Sequence, residues 1–546
     1  MKNKLQVSSR FFHSINKTLF VIVLLAFLVR VINLQFPAFT ADEARVAYRG
    51  YVLVETGKDE LGRRLPWLFN SSEDYQLPMV SYLTALGIFA FGKSDLGARI
   101  PFILIGTTIV FLVYRVGERI TKRTSLSLVA SLTTALSPSL IFLSKVPNET
   151  ILLTLLFCLL FYFLSKKKIG KLEIVAVILI ILGSVMTSKY AWFILGPFVF
   201  ATLTIYQVQI NYTKKRIITI FACLISLSML LIFLNVPQAT RSLEENNFNL
   251  FNDITIKNSI GWLRGQGLIL GWPEALEKAL FNKLEFVFVG LIHWLSNLQF
   301  SIYFGELDGN GQFGFMGLGA WAKVLIIPAG LGILFLMKRG NIEQKYLLLY
   351  LLLLTWPALF RYPHFAQELV VLTLPFMAVV IAMGFNFLNK NIAVLVIMLM
   401  FIEVFANLLS LSTHKKNTEN LRPSLIKPFI HDIENSKARK LTAISDDINE
   451  DIIPFVSWYS VSDPEEGFLN IIWAYKFRQT NLKNFRTIGA ENTFDKCNIH
   501  EQMTIYVSER DLNKVEVIGF KGLETSYQNV TGKSKVFLLP DGVCVR

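Results

Sequence analysis

Residues 36–58 read FPAFTADEARVAYRGYVLVETGK, and residues 75–101 read YQLPMVSYLTALGIFAFGKSDLGARIP. Two adjacent carboxylates, Asp42 and Glu43, follow a long apolar run, and Arg99 stands just before the next one. An acidic pair at such a boundary touches water yet lies beside lipid. A hydroxyl or phosphate acceptor from water would meet there a donor held in the bilayer, and the rest of the chain reads as a scaffold for that meeting.

The totals agree with a membrane scaffold. The chain has 546 residues, 53% of them hydrophobic, and a mean hydropathy of +0.47. Apolar runs near the ~20 residues needed to span a bilayer recur along most of it. The net charge of +14 does not mark a nucleic-acid face, because the lysines and arginines sit between apolar runs and read as cytoplasmic topology signals. Cys158 and Cys223 fall inside apolar runs as small core residues. Cys497 and Cys544 share the polar C-terminal part and are candidates for a disulfide if it faces an oxidising space. The basic N-terminus leads into an apolar run from Leu19 to Leu34 with no small-residue cleavage site after it, which predicts an uncleaved first span.

Basic clusters set the orientation. Lys2 to Lys17 place the N-terminus inside, so the first span (about 18–35) delivers Asp42 and Glu43 outside. Arg115, Arg119, Lys122 and Arg123 belong inside, so an odd number of crossings separates them from Asp42. The short run 79–92 is therefore expected to lie in the outer interface, and 98–114 to cross. Spans at 125–143 and 149–165 return to Lys166, Lys167, Lys168 and Lys171. A hairpin around Ser188 and Lys189 ends at Lys214, Lys215 and Arg216, and a span at 217–235 leads to a long outer loop, 236–318. Four further crossings follow, the last at 391–411. The expectation is an α-helical polytopic membrane protein with about eleven crossings. Residues 1–411 form the transmembrane domain, with outer loops 36–97 and 236–318. Residues 412–546, where charge returns and short β-rich runs such as KLTAISD and MTIYVSE appear, are expected to form a small extracytoplasmic α/β domain.

Thr40-Ala41-Asp42-Glu43 also has the pattern of a capping box, threonine at the N-cap and glutamate at the third helical position. For Glu43, capping and catalysis both stay open. Asp42 is not needed for the box and is the better general-base candidate. Lys145, Asn148 and Glu149 lie at the outer end of a helical hairpin, where the plain alternative is an interfacial charge pair with Lys145 snorkelling. Arg99, Lys189, Arg361 and His364 are further outer-end groups, each of which on its own reads as an interfacial anchor. Glu306, Asp308, Asn310 and Gly311 match the first half of a calcium loop, but position twelve is Gly317, so a glycine-rich turn is the better reading and no metal is expected. His293 has no HExxH partner, and neither a P-loop nor a dinucleotide fingerprint is present, so a soluble nucleotide-sugar site has no support.

At these residues the chain resembles the dolichyl-phosphate-mannose–protein mannosyltransferase-like superfamily, the GT-C membrane glycosyltransferases that include bacterial aminoarabinose transferases to lipid A. The matching pieces, in order, are ADEARVAYRG, YQLPMVSYLTALGIFAFGKSDLGARIP, SPSLIFLSKVPNE and YFGELDGNGQFGFMGLG, over most of residues 18–410. The resemblance implies the GT-C fold and a polyprenyl-phosphate-linked sugar as donor. It implies a protein, lipid or glycan acceptor in the envelope, and an inverting transfer of a hexose or pentose without nucleotide or other cofactor. It carries Asp42 to the expected base, Glu149 to the second acidic position and Lys145 to the basic position before it. Lysine stands at 145 where arginine is commoner, and Tyr75-Gln76-Leu77-Pro78 replaces a basic residue before paired prolines. Donor-phosphate binding is then expected to draw on Arg99, Lys189, Arg361 and His364 as well. Two other classes compete. A flippase for a lipid-linked substrate should carry ionisable groups at mid-span, whereas Glu173 and Glu403 lie near ends. A non-catalytic envelope protein would not need Asp42 and Glu149 facing one site.

Overall fold

Helices dominate because most of the chain is long apolar runs, in which only an internally hydrogen-bonded backbone is satisfied beside lipid. The computed structural model describes residues 17–32, 34, 37, 39–71, 74–166, 169–206, 212–235, 250–276, 283–305, 307, 318–361 and 365–418, then Trp458–Tyr459 and the strands of the C-terminal part. The chain divides into two compact units, Met1–Asn33 with Ile100–Phe405, and Leu34–Arg99 with Ala406–Arg546.

In the first unit, the Gln367–Phe385 helix is buried along nearly its whole length. A helix that is apolar all round belongs at the centre of a bundle, and this one packs against Ile326–Lys338, Ile342–Thr355, Thr124–Ala135 and Glu149–Leu164. Two glycines permit the closest of these approaches. A Cβ at Gly332 would run into the Val380 carbonyl, and one at Gly384 into the Pro328 carbonyl. Beside that crossing lies an aromatic cluster. Phe161 meets Tyr350 at 5.3 Å and Phe376 at 5.4 Å, both edge-on, and Phe157 meets Phe198 at 4.9 Å. Such pairs contribute ~0.5–1.5 kcal/mol beyond area burial.

The expected spans are found as helices with adjusted ends. The run 125–143 is two helices, Thr124–Ala135 and Pro138–Leu143, because Pro138 lacks the N–H that an unbroken helix needs there and Ser137 caps the second piece. The stretch 236–318, expected as an outer loop, is not loop throughout; it holds the helices Ile254–Ile269 and Lys283–Ser296. By length and composition, Asp95–Thr121, Leu284–Gly305 and Gln367–Phe385 are long and apolar enough to cross a membrane.

In the second unit, the Ala41–Thr56 helix starts at Thr40 with the capping box in place and ends at Gly57, whose φ of 66° is left-handed. Its partner is the Met79–Phe91 helix. Thirteen residues rise only about 20 Å, short of the ~30 Å hydrocarbon core. At Gly50 an added Cβ would lie 3.0 Å from the Ala85 nitrogen and 3.1 Å from the Thr84 methyl, so the two helices touch backbone to backbone. A hairpin of β1 (Phe69–Ser71) and β2 (Asp74–Gln76) joins them. The wholly buried Arg49 ties helix to loop and hairpin, donating to Glu60 at 2.9 Å and to Gln76 at 2.6 Å.

The C-terminal strands are β3 (Lys440–Ile444), β4 (Phe485–Ile488), β5 (Met503–Val507), β6 (Val517–Ile518), β7 (Glu524–Asn529), β8 (Gly532–Leu539) and β9 (Cys544–Val545). They form a five-stranded mixed sheet of order β4-β3-β5-β8-β7, parallel at β4-β3-β5 and antiparallel beyond, and a separate β6-β9 pair. Cys497 lies outside the described residues.

Candidate active site

Asp42 and Glu43 are neighbours with opposite surroundings. The Glu43 N–H donates to Thr40 Oγ1, and Glu43 Oε2 accepts from the Thr40 N–H, both at 3.2 Å. The same carboxylate receives Arg99 in a fork, Nε to Oε1 at 2.8 Å and Nη2 to Oε2 at 2.7 Å. Arg99 also donates to the carbonyls of Leu34 at 2.5 Å and Pro37 at 3.0 Å. Glu43 and Arg99 are both buried. Burial pushes the Glu43 carboxyl up, against the pull of the Arg99 guanidinium. A bidentate carboxylate–guanidinium pair is among the strongest side-chain contacts, and here it pins the start of the acidic helix. The guanidinium expected to hold a donor phosphate is engaged by Glu43 and two carbonyls, and Glu43 is engaged by Arg99 and the cap.

Asp42 points the other way. Its side chain is 86% exposed, and its only described partner is Arg45, one helical turn on, at 3.1 Å. It is therefore the member of the pair that an incoming hydroxyl can reach.

In the first unit, Asn148 caps the Glu149–Leu164 helix by accepting from the Thr150 N–H at 2.6 Å. Glu149 opens the helix, and its Oε1 accepts from Ser188 Oγ at 3.2 Å. Lys189 follows Ser188 in the turn before the Ala191–Ile205 helix. Beyond it, the Tyr190 hydroxyl accepts from Arg361 Nη1 at 3.1 Å, and the same nitrogen meets Glu368 at 2.8 Å. Burial, then the charge of Glu368, pushes the Tyr190 hydroxyl up, so it keeps its proton. Burial works against the Arg361 charge, and Glu368 more than restores it. Lys145 is wholly buried and donates to the Ile32 carbonyl at 2.7 Å. Glu149, Ser188, Lys189, Tyr190 and Arg361 thus gather at one end of this bundle. His364, Glu306, Asp308, Asn310, Gly311 and Gly317 lie outside the described residues. Phe365 stacks on His293 at 5.4 Å and the Ala366 N–H donates to Asn297 at 2.9 Å. Among the described residues, no group of three His, Cys, Asp or Glu could hold a metal ion.

Sequence reasoning passed over Arg30. It is wholly buried and donates to Ser144 at 3.1 Å and to the Ala26 and Ala135 carbonyls at 2.9 and 3.2 Å, and its Nη2 has no partner among the described residues. The available signal was a single arginine closing an otherwise apolar run, which marks an intramembrane ionisable group.

A family profile described as dolichyl-phosphate-mannose-protein mannosyltransferase matches residues 76–235, the stretch holding Arg99, Lys145, Glu149 and Lys189. Among solved structures, ArnT from Cupriavidus metallidurans bound to undecaprenyl phosphate superposes with a TM-score of 0.52 at 11% identity. The match covers 94% of this chain and 97% of that one. The chain shares the ArnT fold over nearly its whole length. The chain is also similar to the archaeal oligosaccharyltransferase AglB from Archaeoglobus fulgidus, in complex with an inhibitory peptide and a dolichol-phosphate. There the TM-score is 0.46 at 12% identity, over 91% of this chain and 69% of that one. An Archaeoglobus fulgidus oligosaccharyltransferase in complex with Zn and sulfate gives 0.46 at 14% identity, over 81% and 61%. The chain thus spans about two thirds of the length of the oligosaccharyltransferases and nearly all of ArnT. No curated protein sequence matches it.

Proposed function

We propose that this protein transfers a sugar, hexose or pentose, from a polyprenyl-phosphate-linked donor to an envelope acceptor on the outer face of the membrane. The observation that carries the reading is the divided fate of the acidic pair, with Glu43 locked to Arg99 and Asp42 exposed on the same rigid helical turn. The profile match and the likeness to a fold with a bound polyprenyl phosphate support a lipid-linked donor. About eleven crossings set by the basic clusters, with 412–546 as an extracytoplasmic domain, keep Asp42 and Glu149 outside.

The step is a single displacement. The acceptor O–H attacks the anomeric carbon, the new C–O bond forms as the bond to the phosphate oxygen breaks, and the configuration inverts. The proton passes to Asp42, which as a general base contributes ~10²–10⁴-fold. Polyprenyl phosphate leaves with its bonding electrons, and positive charge near it lowers the barrier. Lys145, Lys189, Arg361 and His364 serve that charge and Glu149 orients the donor. Arg99 serves instead to hold the helix that carries Asp42.

Mass spectrometry of envelope glycans and lipids from cells with and without the protein tests this. The proposal expects one sugar modification to disappear and the matching polyprenyl-phosphate sugar to accumulate; an unchanged set of both contradicts it.

A further inference from the structure

The residue just before a helix cap commonly packs onto the fourth helical residue and so fixes the angle at which the chain enters the helix. For the acidic helix those residues are Phe39 and Ala44, and a methyl group is a poor platform for a phenyl ring. Phe39 finds its platform elsewhere. One flank lies 5.3 Å from the Arg99 guanidinium. Its ring also stacks on Trp458 at 6.1 Å and 19°, with Tyr459 tilted against it at 6.2 Å.

Those two residues come from the far end of the chain and are held in place. Trp458 is 2% exposed, and its Nε1–H donates to Asp95 Oδ1 at 2.9 Å. The Tyr459 hydroxyl donates to Asp95 Oδ2 at 3.3 Å. Burial, then the charge of Asp95, pushes that hydroxyl up, which keeps it a donor. The Lys93 ammonium sits 5.9 Å above the Trp458 ring and 4.1 Å above Tyr51 of the acidic helix.

We infer that Trp458 and Tyr459 are positioning residues for Asp42, reached through Phe39 and the Thr40 cap. The inference rests on the transfer reaction proposed above. The far end of the helix has its own anchors, Arg49 with Glu60 and Gln76, and the close contact at Gly50. Loss of Trp458 should therefore loosen the first turn, where Asp42 sits, leaving it to the Glu43–Arg99 pair and the Thr40 cap, and leave the rest of the helix in place. The C-terminal part then does more than follow the membrane domain, because it completes the base's support. An error of about 1 Å in a reacting group costs ~10²-fold in rate, so the effect belongs in kcat and not in donor KM.

The test uses the full-length protein in nanodiscs, as wild type, Trp458→Ala, Trp458→Phe and Tyr459→Phe, with two readouts. The first is amide hydrogen exchange, which needs no activity. Trp458→Ala should speed exchange of residues 41–46 about tenfold and leave residues 79–91 within twofold, while Trp458→Phe, which keeps a ring for Phe39, stays near wild type. Unchanged exchange at 41–46, or an equal rise over both helices, overturns the inference. The second is turnover of a polyprenyl-phosphate sugar, where Trp458→Ala should lose about 100-fold in kcat with donor KM within twofold, and Trp458→Phe should recover most of it. Normal kcat in Trp458→Ala with loosened 41–46 also overturns it. Should Trp458→Ala fail to fold, Tyr459→Phe removes one hydrogen bond and should speed exchange of 41–46 twofold to threefold; no change there overturns the inference. Inactive wild type would speak against the transfer reaction itself, while the exchange result would still decide whether Trp458 holds the turn.

Discussion

Removing Glu43 strands a buried guanidinium, and that cost sets the behaviour of the acidic pair. Breaking a buried ion pair from one side typically costs ~3–5 kcal/mol, whereas replacing both partners by apolar residues of similar size is often near neutral. Glu43→Ala should therefore lower unfolding stability by about 3–5 kcal/mol, and Glu43→Leu with Arg99→Met should recover most of that, as read from thermal unfolding in detergent. The double variant will not recover all of it, because Glu43 also holds the Thr40 N–H and Arg99 the Leu34 and Pro37 carbonyls. Sequence alone made the capping box legible, since its residues are three apart. It did not reveal Arg99 as Glu43's partner, because nothing local links positions 56 apart. An arginine near lipid and an acidic pair near water satisfied both the phosphate reading and the ion-pair reading.

At the scale of elements, helix existence followed from apolar runs, while breaks and contacts depended on single residues. The division at Ser137–Pro138 was not read, and 125–143 was expected as one span, although the proline marks the break. The helices within 236–318 were not read, because their apolar residues are interrupted by charged and glycine positions. Glycine contacts give the sharpest tests. Gly384→Leu forces a side chain against the Pro328 carbonyl, and overpacking of this kind costs ~1–3 kcal/mol or more. Gly50→Val should do the same between the Ala41–Thr56 and Met79–Phe91 helices. Gly261→Ala, in the Ile254–Ile269 helix with nothing near its Cβ, should instead raise stability by ~0.5–1 kcal/mol. Melting temperatures of the three variants should fall, fall and rise, and equal effects would mean that these crossings do not limit stability.

For the whole molecule, composition and the order of basic clusters led to a polytopic helical membrane protein, because bilayer thickness and charge bias leave few arrangements of so apolar a chain; the GT-C fold came from the resemblance carried by four motifs in order. Contacts such as Arg99 with Glu43 and Arg361 with Tyr190 join residues far apart in sequence, and composition carries no trace of them. Topology is checked with single cysteines. A cysteine at Ser72 should react with an impermeant maleimide from outside and one at Lys167 should not; reaction of both from one side would remove the interfacial reading of 79–92. The reaction is tested most directly by turnover of purified Asp42→Asn with a polyprenyl-phosphate sugar and its acceptor. Asparagine keeps the shape of the side chain and cannot take the proton, and the cap made by Thr40 and Glu43 stays in place. The predicted result is a variant as abundant and as stable as wild type with kcat lowered ~10²–10⁴-fold. Near-normal turnover would contradict the account, because Asp42 would then be an exposed surface carboxylate and nothing more.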